Sequence, residues 1–205
     1  MGFKCEILSF IILLFIPGSV GERISVSCKP QTICALQDSE VNLTCSYSNT
    51  NIRTVFWFNS KQKDKWKNQD HPEDLTLHSD CAEQVTTKTT SSNSTLTIRD
   101  LREGDSGDYQ LMIITDDGVK HQSSPAVRLT VMVLQVKENR EKLTCRTSCS
   151  LTSGTHSYKW YKNGGEVFGI GGDKGSLTLS HLTAGSYSCS VSSHTEIHSN
   201  AVCEY

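Results

Sequence analysis

The sequence predicts an all-β protein made of two tandem β-sandwiches behind a signal peptide. Three observations lead to this prediction: an N-terminal export segment, many short strand-like segments between polar turns, and two sets of cysteine, tryptophan and tyrosine in the same order. The chain has 205 residues, which suffices for one large domain or two small ones. No segment has the apolar periodicity of a long amphipathic helix.

The N-terminus has the composition of a secretory signal peptide. Lys4 supplies a positive charge, residues 7–16 are apolar apart from one serine, and Ser19 and Gly21 place small residues before a cleavage site. A membrane anchor is disfavoured because so short a run cannot cross roughly 30 Å of hydrocarbon. We expect residues 1–21 to be removed. No other apolar run approaches spanning length, so we expect a secreted protein or the extracellular side of a longer membrane receptor.

Charge and motifs exclude two classes of function. Twenty basic side chains stand against 22 acidic ones, for a net charge of −2, whereas a nucleic-acid-binding protein usually has a basic excess. The sequence contains no G-x-S-x-G elbow or other nucleophile motif. We therefore expect a binding protein with no cofactor, and not an enzyme.

Cysteine content indicates disulfides. The chain has nine cysteines, of which Cys5 would leave with the signal peptide. An even number remains, which in an exported chain favours disulfide pairing, although eight cysteines allow 105 connectivities. A zinc site would need close C-x-x-C pairs, and the chain has none. The remaining cysteines are Cys28, Cys34, Cys45, Cys81, Cys145, Cys149, Cys189 and Cys203.

Strand-like segments occur in both halves of the chain. Most alternate apolar and polar residues, as a strand with one buried face does, and two are nearly continuous apolar runs. Many short strands between turns favour a sandwich or barrel. The segments are residues 40–47, 54–58, 94–98, 108–114 and 126–133 in the first half, and 142–145, 157–161, 176–179 and 186–192 in the second.

The second half carries the residue order of an immunoglobulin-like domain. Cys145 is followed by Trp160 and then by Tyr187-x-Cys189. In such domains the two cysteines join the sheets, the indole packs on the disulfide, and the tyrosine hydroxyl ties the turn before its strand. We predict a Cys145–Cys189 disulfide and a C2-type domain over residues 133–205.

The first half carries a variant of that order. Cys45, Trp57 and a D-x-G-x-Y corner ending at Tyr109 are present, but Leu111 stands where the second cysteine belongs. The span from Cys45 to Leu111 is longer than the corresponding span in the second half, which leaves room for the two extra strands, C′ and C″, of a variable-type domain. We predict a V-type domain over residues 22–132, with Trp57 and Tyr109 in its core.

Several segments resemble the siglecs, the sialic-acid-binding immunoglobulin-like lectins. In the first domain these are ICALQDSEVNLTC (residues 33–45), FWF with PEDL (within residues 56–75) and STLTIRDLREGDSGDY (residues 94–109). In the second domain they are LTCRTSC (residues 143–149), YKWYKNG (residues 158–164), and AGSYSC with HSNAVC (ending at Cys203). The resemblance extends over nearly all of the expected mature chain. It implies immunoglobulin folds, exposure at the cell surface and a role in immune recognition.

The same resemblance implies a sialic-acid site, which this sequence lacks. Siglecs hold the sialate carboxylate with an arginine three positions beyond the corner tyrosine, because a guanidinium can pair both carboxylate oxygens. Counted from Tyr109, that position is Met112. Siglecs also pack aromatic residues of the first and last strands on the sugar, but residues 22–32 and 123–133 contain none.

Two disulfides are predicted from the resemblance alone. Siglecs pair the cysteine equivalent to Cys45 with one on the E strand, whose position here is near Ser94. Since that residue is not cysteine, we expect Cys45 to pair with Cys81. The interdomain bridge of the family would join Cys34 to Cys149.

Two cysteines remain unassigned, Cys28 and Cys203. We expect them at opposite ends of the pair of domains, too far apart to meet the roughly 7 Å Cα separation of a disulfide. Cys203 could pair within a further module of a longer receptor or between molecules.

Three surface features have alternative interpretations. Asn42 and Asn93 begin glycosylation sequons. Such short motifs also occur by chance, but in an exported β protein we expect both asparagines to carry glycans. A charged cluster follows Trp57: Lys61, Lys63, Lys65, Trp66 and Lys67. Of a binding patch and a solvated turn we favour the turn, and the tryptophan is either a docking anchor or a lid. His194 and His198 could form a metal pair, but the spacing falls in a hairpin, so we interpret them as ordinary loop histidines.

We expect an immune recognition or adhesion protein that presents one face of its first domain to a cell-surface protein or glycan. The candidate face combines the cluster above with Met112, Ile114 and Lys120. One alternative is a sialic-acid lectin with a relocated arginine, for which Arg53, Arg99, Arg102 and Arg128 are available. The other is a soluble decoy or a stalk fragment of a longer receptor. The oligomeric state is left open.

Overall fold

Two β-sandwiches follow one another along the chain in the computed structural model. It describes residues 24–48, 51–68, 70–77, 83–140, 142–148, 157–168, 175–178 and 182–204. The predicted signal peptide, residues 1–21, lies outside the described residues. Alternation of buried and exposed side chains is clearest in the strand of residues 41–47, where every second residue is buried.

The first sandwich contains two sheets with apolar side chains between them. One sheet has the order β1-β3-β6-β5 and the other β2-β9-β7-β4, with β8 also paired to β7. Trp57 and Leu111 are fully buried between the sheets, and the Tyr109 hydroxyl donates to the Asp105 carbonyl at 2.7 Å. Its described strands are β1 (Val26–Cys28), β2 (Thr32–Leu36), β3 (Val41–Tyr47), β4 (Ile52–Asn59), β5 (Val85–Thr89), β6 (Asn93–Ile98), β7 (Gly107–Thr115), β8 (Lys120–Gln122) and β9 (Val127–Met132).

The second sandwich repeats this plan with a disulfide between its sheets. One sheet is β10-β11-β14 and the other β13-β12-β15-β16, with β17 paired to β15. The predicted Cys145–Cys189 disulfide is confirmed, Trp160 is 3% exposed, and the Tyr187 hydroxyl donates to the Thr183 carbonyl at 2.8 Å. Its described strands are β10 (Gln135–Glu138), β11 (Lys142–Arg146), β12 (Tyr158–Lys162), β13 (Gly165–Val167), β14 (Ser176–Thr178), β15 (Gly185–Val191), β16 (His194–His198) and β17 (Val202–Glu204).

The predicted fold class, two tandem immunoglobulin-like sandwiches, is therefore confirmed, but the C′ and C″ strands differ from expectation. Among the described residues between β4 and β5 there is no strand, only 3-10 turns at Ser60–Lys65 and Leu75–Leu77. This stretch is rich in charge, contains Pro72 and lacks a period of two, so it does not favour a ladder. Leu75 instead fills the edge of the core, at 2% exposure.

Cys45 is bonded to Cys28, which corrects the expected pairing with Cys81. Cys45 has two neighbours within its sheet: Cys28 on β1 lies opposite it on one side, and Ser94 on β6 lies opposite it on the other. The Cα atoms of the two bonded cysteines are 4.0 Å apart, so the bond joins adjacent strands of one sheet. Cys81 lies outside the described residues.

The remaining disulfide expectations concern the junction. Cys34 is disulfide-bonded. Its expected partner Cys149 lies outside the described residues, so the Cys34–Cys149 pairing stays a prediction. Cys203 is a free, exposed thiol on β17.

Apolar side chains cross the junction between the sandwiches. Leu36 and Met132, from the ends of β2 and β9, belong to one buried cluster with Val136 and Trp160 of the second sandwich. Leu134, in the short link between β9 and β10, is 2% exposed within the same cluster. A shared buried cluster resists bending at the link, because bending would expose apolar surface.

We expect Cys28→Ala to destabilise the first sandwich by about 3 kcal/mol, because the disulfide closes a short loop in the unfolded chain. Urea unfolding of the mature protein, followed by Trp fluorescence, measures the change. Cys203→Ser is the matched control and should leave stability unchanged. A non-reducing peptide map that joins Cys45 to Cys81 would contradict this assignment.

We also expect Ser94→Ala to cost about 1–3 kcal/mol, because the buried Trp57 indole would lose its hydrogen-bond acceptor. The indole Nε1 donates to the Ser94 hydroxyl at 3.0 Å, and Ser94 is fully buried. The exposed Ser92→Ala is the control, with an expected change under about 0.5 kcal/mol. Equal stability of the two variants in urea unfolding would refute the role of this bond.

Candidate recognition surface

The outward side chains of β4, β7 and β8 form one continuous face, here called the β4–β7–β8 face. It arises because successive residues of a strand point to opposite sides of a sheet. Across the strands, Phe56 lies opposite Met112, which lies opposite Gln122. The next row joins Thr54, Ile114 and Lys120. The sequence-predicted residues Met112, Ile114 and Lys120 are thus brought together.

The centre of this face is apolar. Phe58, Trp66 and Met112 form a buried cluster that is separate from the two sandwich cores, with exposures of 3%, 9% and 5%. Phe56 and Ile114 pack against it and are only partly buried. The position where the siglec resemblance implies an arginine is therefore a covered thioether within an apolar cluster.

Trp66 is a lid over this face. Its ring meets the Phe58 ring edge-on, with centroids 6.0 Å apart. The 3-10 turn that leads to Trp66 begins at Asn59, whose side chain accepts from the Lys61 amide at 2.9 Å. A Cβ at Gly107 would come within 2.9 Å of the Asn59 side chain, so glycine is required for this close approach.

The rim of the face is basic. Lys61, Lys63, Lys65, Lys67 and Lys120 are all exposed. Residues 60–67 contain four of these lysines and one acidic residue, Asp64. The Lys61 ammonium donates to the Ser106 carbonyl, which fixes the base of the turn to the neighbouring corner. The lysine cluster predicted from sequence thus borders the apolar centre.

Two of the candidate arginines are engaged by carboxylates of the protein itself. Arg128, on the outward side of β9, donates Nε to Asp108 at 2.8 Å and Nη2 at 3.1 Å. The side-chain hydrogen bond from Arg128 holds the pKa of Asp108 below its usual value. Arg99 pairs with Glu40 at 3.0 Å. Either guanidinium would have to break or share its pair with the protein's own carboxylate in order to hold a sialate.

The other two arginines lie at opposite ends of the first sandwich. Arg102 precedes the 3-10 turn Glu103–Asp105, where its amide donates to the Asp105 carboxylate. Arg53 is exposed at the start of β4. Neither belongs to the rows of the β4–β7–β8 face that contain Met112 or Ile114.

The two sequons lie on the opposite side of the first sandwich. Asn42 on β3 and Asn93 on β6 are both exposed and both point outward from the β1-β3-β6-β5 sheet. Their alternation partners Leu43 and Ser94 are fully buried. Glycans at these positions would extend away from the β4–β7–β8 face.

The histidine pair of the second sandwich lies on a strand, β16, and not in the expected loop. His194 is 3.4 Å from Glu196, and the His198 ring packs against the Tyr161 ring at a tilt, with centroids 4.2 Å apart. Within the described ranges, no group of three or more potential ligands is placed to hold a metal ion. The arrangement is one of side-chain packing on a sheet surface.

Comparisons with known proteins identify the first sandwich. The family model for the immunoglobulin V-set domain matches residues 28–132. No curated protein matches the sequence. In the part of the chain that the structure describes, no helix is long and apolar enough to cross a membrane.

Two solved structures give the scale of the structural likeness. One comes from work on T-cell specificity and activation by the bacterial superantigen toxic shock syndrome toxin-1; it is 19% identical, covers 53% of this chain and 99% of its own, and has a TM-score of 0.41. The other is a chimeric titin Z1Z2 carrying a decorin peptide; it is 19% identical, covers 81% of this chain and 88% of its own, and has a TM-score of 0.39.

We expect Asp108→Asn to reduce stability slightly near neutral pH, and the difference from wild type to vanish in acid. The folded-state pKa of Asp108 is lowered from 3.8, so its contribution is present above that value and is lost as pH falls through the folded-state pKa. Unfolding free energies at about pH 7 and about pH 2 test this linkage. A difference that persists in acid would mean that the substitution acts by packing.

Proposed function

Because the chain belongs to the immunoglobulin V-set family, we propose that it is an extracellular recognition protein of the immune surface. It binds a cell-surface protein through the β4–β7–β8 face of its first domain and catalyses no reaction. The partner offers an apolar patch bordered by carboxylates. The observation that carries the proposal is the apolar cluster under Trp66, with Phe56 and Ile114 at its open side and lysines around it.

An apolar centre with a charged rim is the usual composition of a protein-binding surface. An antiparallel sheet with one solvated face normally alternates apolar and polar residues. Here Met112 and Ile114 are apolar on the outer side of β7, whose inner side already carries Leu111 and Ile113. Interfaces place such residues at the centre and charged groups at the periphery. The lysine rim favours an acidic partner and would accelerate its association.

The sequons support the same choice of face. With glycans on Asn42 and Asn93, the outer side of the β1-β3-β6-β5 sheet would be covered by bulky, hydrated sugar. The β4–β7–β8 face carries no sequon, so it would remain accessible. A protein that arrives at the first domain would then meet one bare sheet.

The siglec-type ligand is disfavoured at this face. A sialate carboxylate needs a guanidinium fork, and Met112 offers neither charge nor a donor. Arg128, on the outward side of the same sheet, is held by Asp108. A lectin with a relocated arginine remains the alternative function, and Arg53 is the arginine that would have to serve it.

The second domain is proposed to act as a spacer. The apolar cluster that includes Leu134 and Met132 supports a stiff junction, and an interdomain Cys34–Cys149 bond would stiffen it further. Such a spacer would carry the binding face away from the membrane of a longer receptor, or from the rest of a secreted assembly. A stalk fragment would differ from this proposal in having no partner for the face, whereas a soluble decoy would bind the partner without a membrane anchor.

We expect Phe56→Asp and Ile114→Asp each to weaken partner binding at least tenfold, because a carboxylate would enter the centre of the interface. Tetramers of the mature chain are used to screen an array of cell-surface proteins and an array of sialosides. Thr86→Asp, exposed on the sequon-bearing sheet, is the matched control for added charge. Thermal melts of all three variants separate loss of binding from loss of folding.

Two results would overturn the proposal. Binding that is abolished by sialidase and confined to sialosides would indicate the lectin alternative. Equal loss of binding in Thr86→Asp and in the two face variants would place the interface elsewhere. Binding that survives sialidase and is lost only in the face variants supports the proposal.

A further inference from the structure

The turn between β12 and β13 contains the one Asn-Gly pair of the sequence, Asn163-Gly164. Lys162 lies opposite Gly165, so the pair forms a two-residue hairpin loop. The φ angles of Asn163 and Gly164 are 50° and 84°, and a type I′ turn requires positive values at both positions. The turn therefore favours Asn-Gly. Because glycine has no side chain, its nitrogen can closely approach the asparagine side chain before it.

The Asn163 side chain is exposed at this turn and is held against β15. The backbone amide of Asn163 donates to the Ser186 carbonyl at 2.8 Å. The Ser186 amide in turn donates to the side-chain oxygen Oδ1 of Asn163 at 2.9 Å. The side-chain amide is thus oriented, with a hydrogen-bond donor on its carbonyl oxygen.

A backbone nucleophile lies next to this oriented amide. In the part of the chain that the structure describes, no group accepts a hydrogen bond from the Gly164 amide. The space around Gly164 is open, since a Cβ built there would meet no atom within 4 Å. Negative charge develops on Oδ1 when a nucleophile adds to the Asn163 side chain. The Ser186 amide already points at that oxygen, and such a donor lowers the barrier to addition.

We propose that Asn163 is a site of spontaneous deamidation, with water as the co-reactant. The Gly164 amide gives its proton to the solvent, and its nitrogen attacks Cγ of Asn163, which forms a C–N bond. Nδ2 takes up a proton and leaves as ammonia, so a cyclic succinimide remains. Water then adds to one of the two ring carbonyls and breaks its bond to nitrogen. The new carboxylate belongs to aspartate or to isoaspartate, depending on which carbonyl reacts.

The two products differ in their effect on the hairpin. Both add a negative charge, but aspartate keeps the backbone, and its carboxylate can still accept from the Ser186 amide. Isoaspartate routes the main chain through the side-chain carbon and so lengthens a loop between directly paired residues. We expect the pairing of β12 with β13, including Tyr161 opposite Glu166, to loosen in that product. The site lies in the second sandwich and does not depend on the proposed partner of the first.

The test follows the folded mature chain over time in neutral buffer made with heavy-oxygen water. Peptide mapping by mass spectrometry locates each residue at which a hydroxyl group has replaced an amino group, and the label shows that the oxygen came from the solvent. A protein isoaspartyl methyltransferase marks the isoaspartate fraction. We expect Asn163 to convert about tenfold faster than Asn139 or more, with both products present.

Asn139 is a matched internal control. It is exposed, its amide donates to the Lys142 carbonyl at 3.0 Å, and its Oδ1 accepts from the Lys142 amide at 2.9 Å. It therefore has the same pair of hydrogen bonds as Asn163, but it precedes Arg140, whose side chain hinders attack by the backbone nitrogen. Asn163→Gln should abolish conversion at position 163, because a longer side chain forms the ring far more slowly.

Amide hydrogen exchange then separates the two products. We expect faster exchange within residues 158–167 in the isoaspartate fraction, while the variant Asn163→Asp exchanges as wild type. Conversion at Asn163 no faster than at Asn139 would overturn the proposal. Conversion that occurs at Asn163 only after unfolding in urea would also overturn it, since the fold would then protect the turn.

Discussion

Trp57 and Leu111 lie opposite each other across β4 and β7, as Trp160 and Cys189 do across β12 and β15. Leucine thus occupies the position from which the second sandwich forms its sheet-to-sheet disulfide. In the described part of the first sandwich, the disulfide of Cys45 stays within one sheet. The burial of apolar side chains around Trp57 must therefore hold the two sheets together. Each fully buried large side chain contributes about 1.5–3 kcal/mol to stability.

The hydrogen bond from Trp57 to Ser94 is a polar contact between the sheets, since Trp57 belongs to β4 and Ser94 to β6. Ser94 occupies the site beside Cys45 that the siglec resemblance assigns to a cysteine. The hydroxyl orients the indole at the centre of the core, and Leu111 packs beside it. A buried aromatic and aliphatic contact thus stands where the second sandwich has a covalent link between its sheets.

The fold was largely predictable, because period-two patterns and the cysteine, tryptophan and tyrosine order report directly on sheet packing. Cys28 was missed, although Ile24, Val26 and Cys28 alternate inward and could have indicated a first strand beside β3. The described residues between β4 and β5 form neither of the expected C′ and C″ strands, because length alone does not create a ladder. The sequence left open whether Trp66 is a docking anchor or a lid. The lid follows from how the turn after Asn59 lies against Gly107, which is far from it in the sequence.

The apolar residues of β7 belong partly to the core and partly to the proposed recognition surface. Leu111 and Ile113 face the core, while Met112 and Ile114 face outward. A strand that is apolar on both sides needs cover on both sides. Trp66 covers Met112, but the side chains of Ile114 and Phe56 are only partly buried. The lysine-bearing 3-10 turn ends just before Trp66. The residual apolar surface is therefore a consequence of how this sheet is built, and a partner that covers it would complete on the outside the packing that Trp57 provides within.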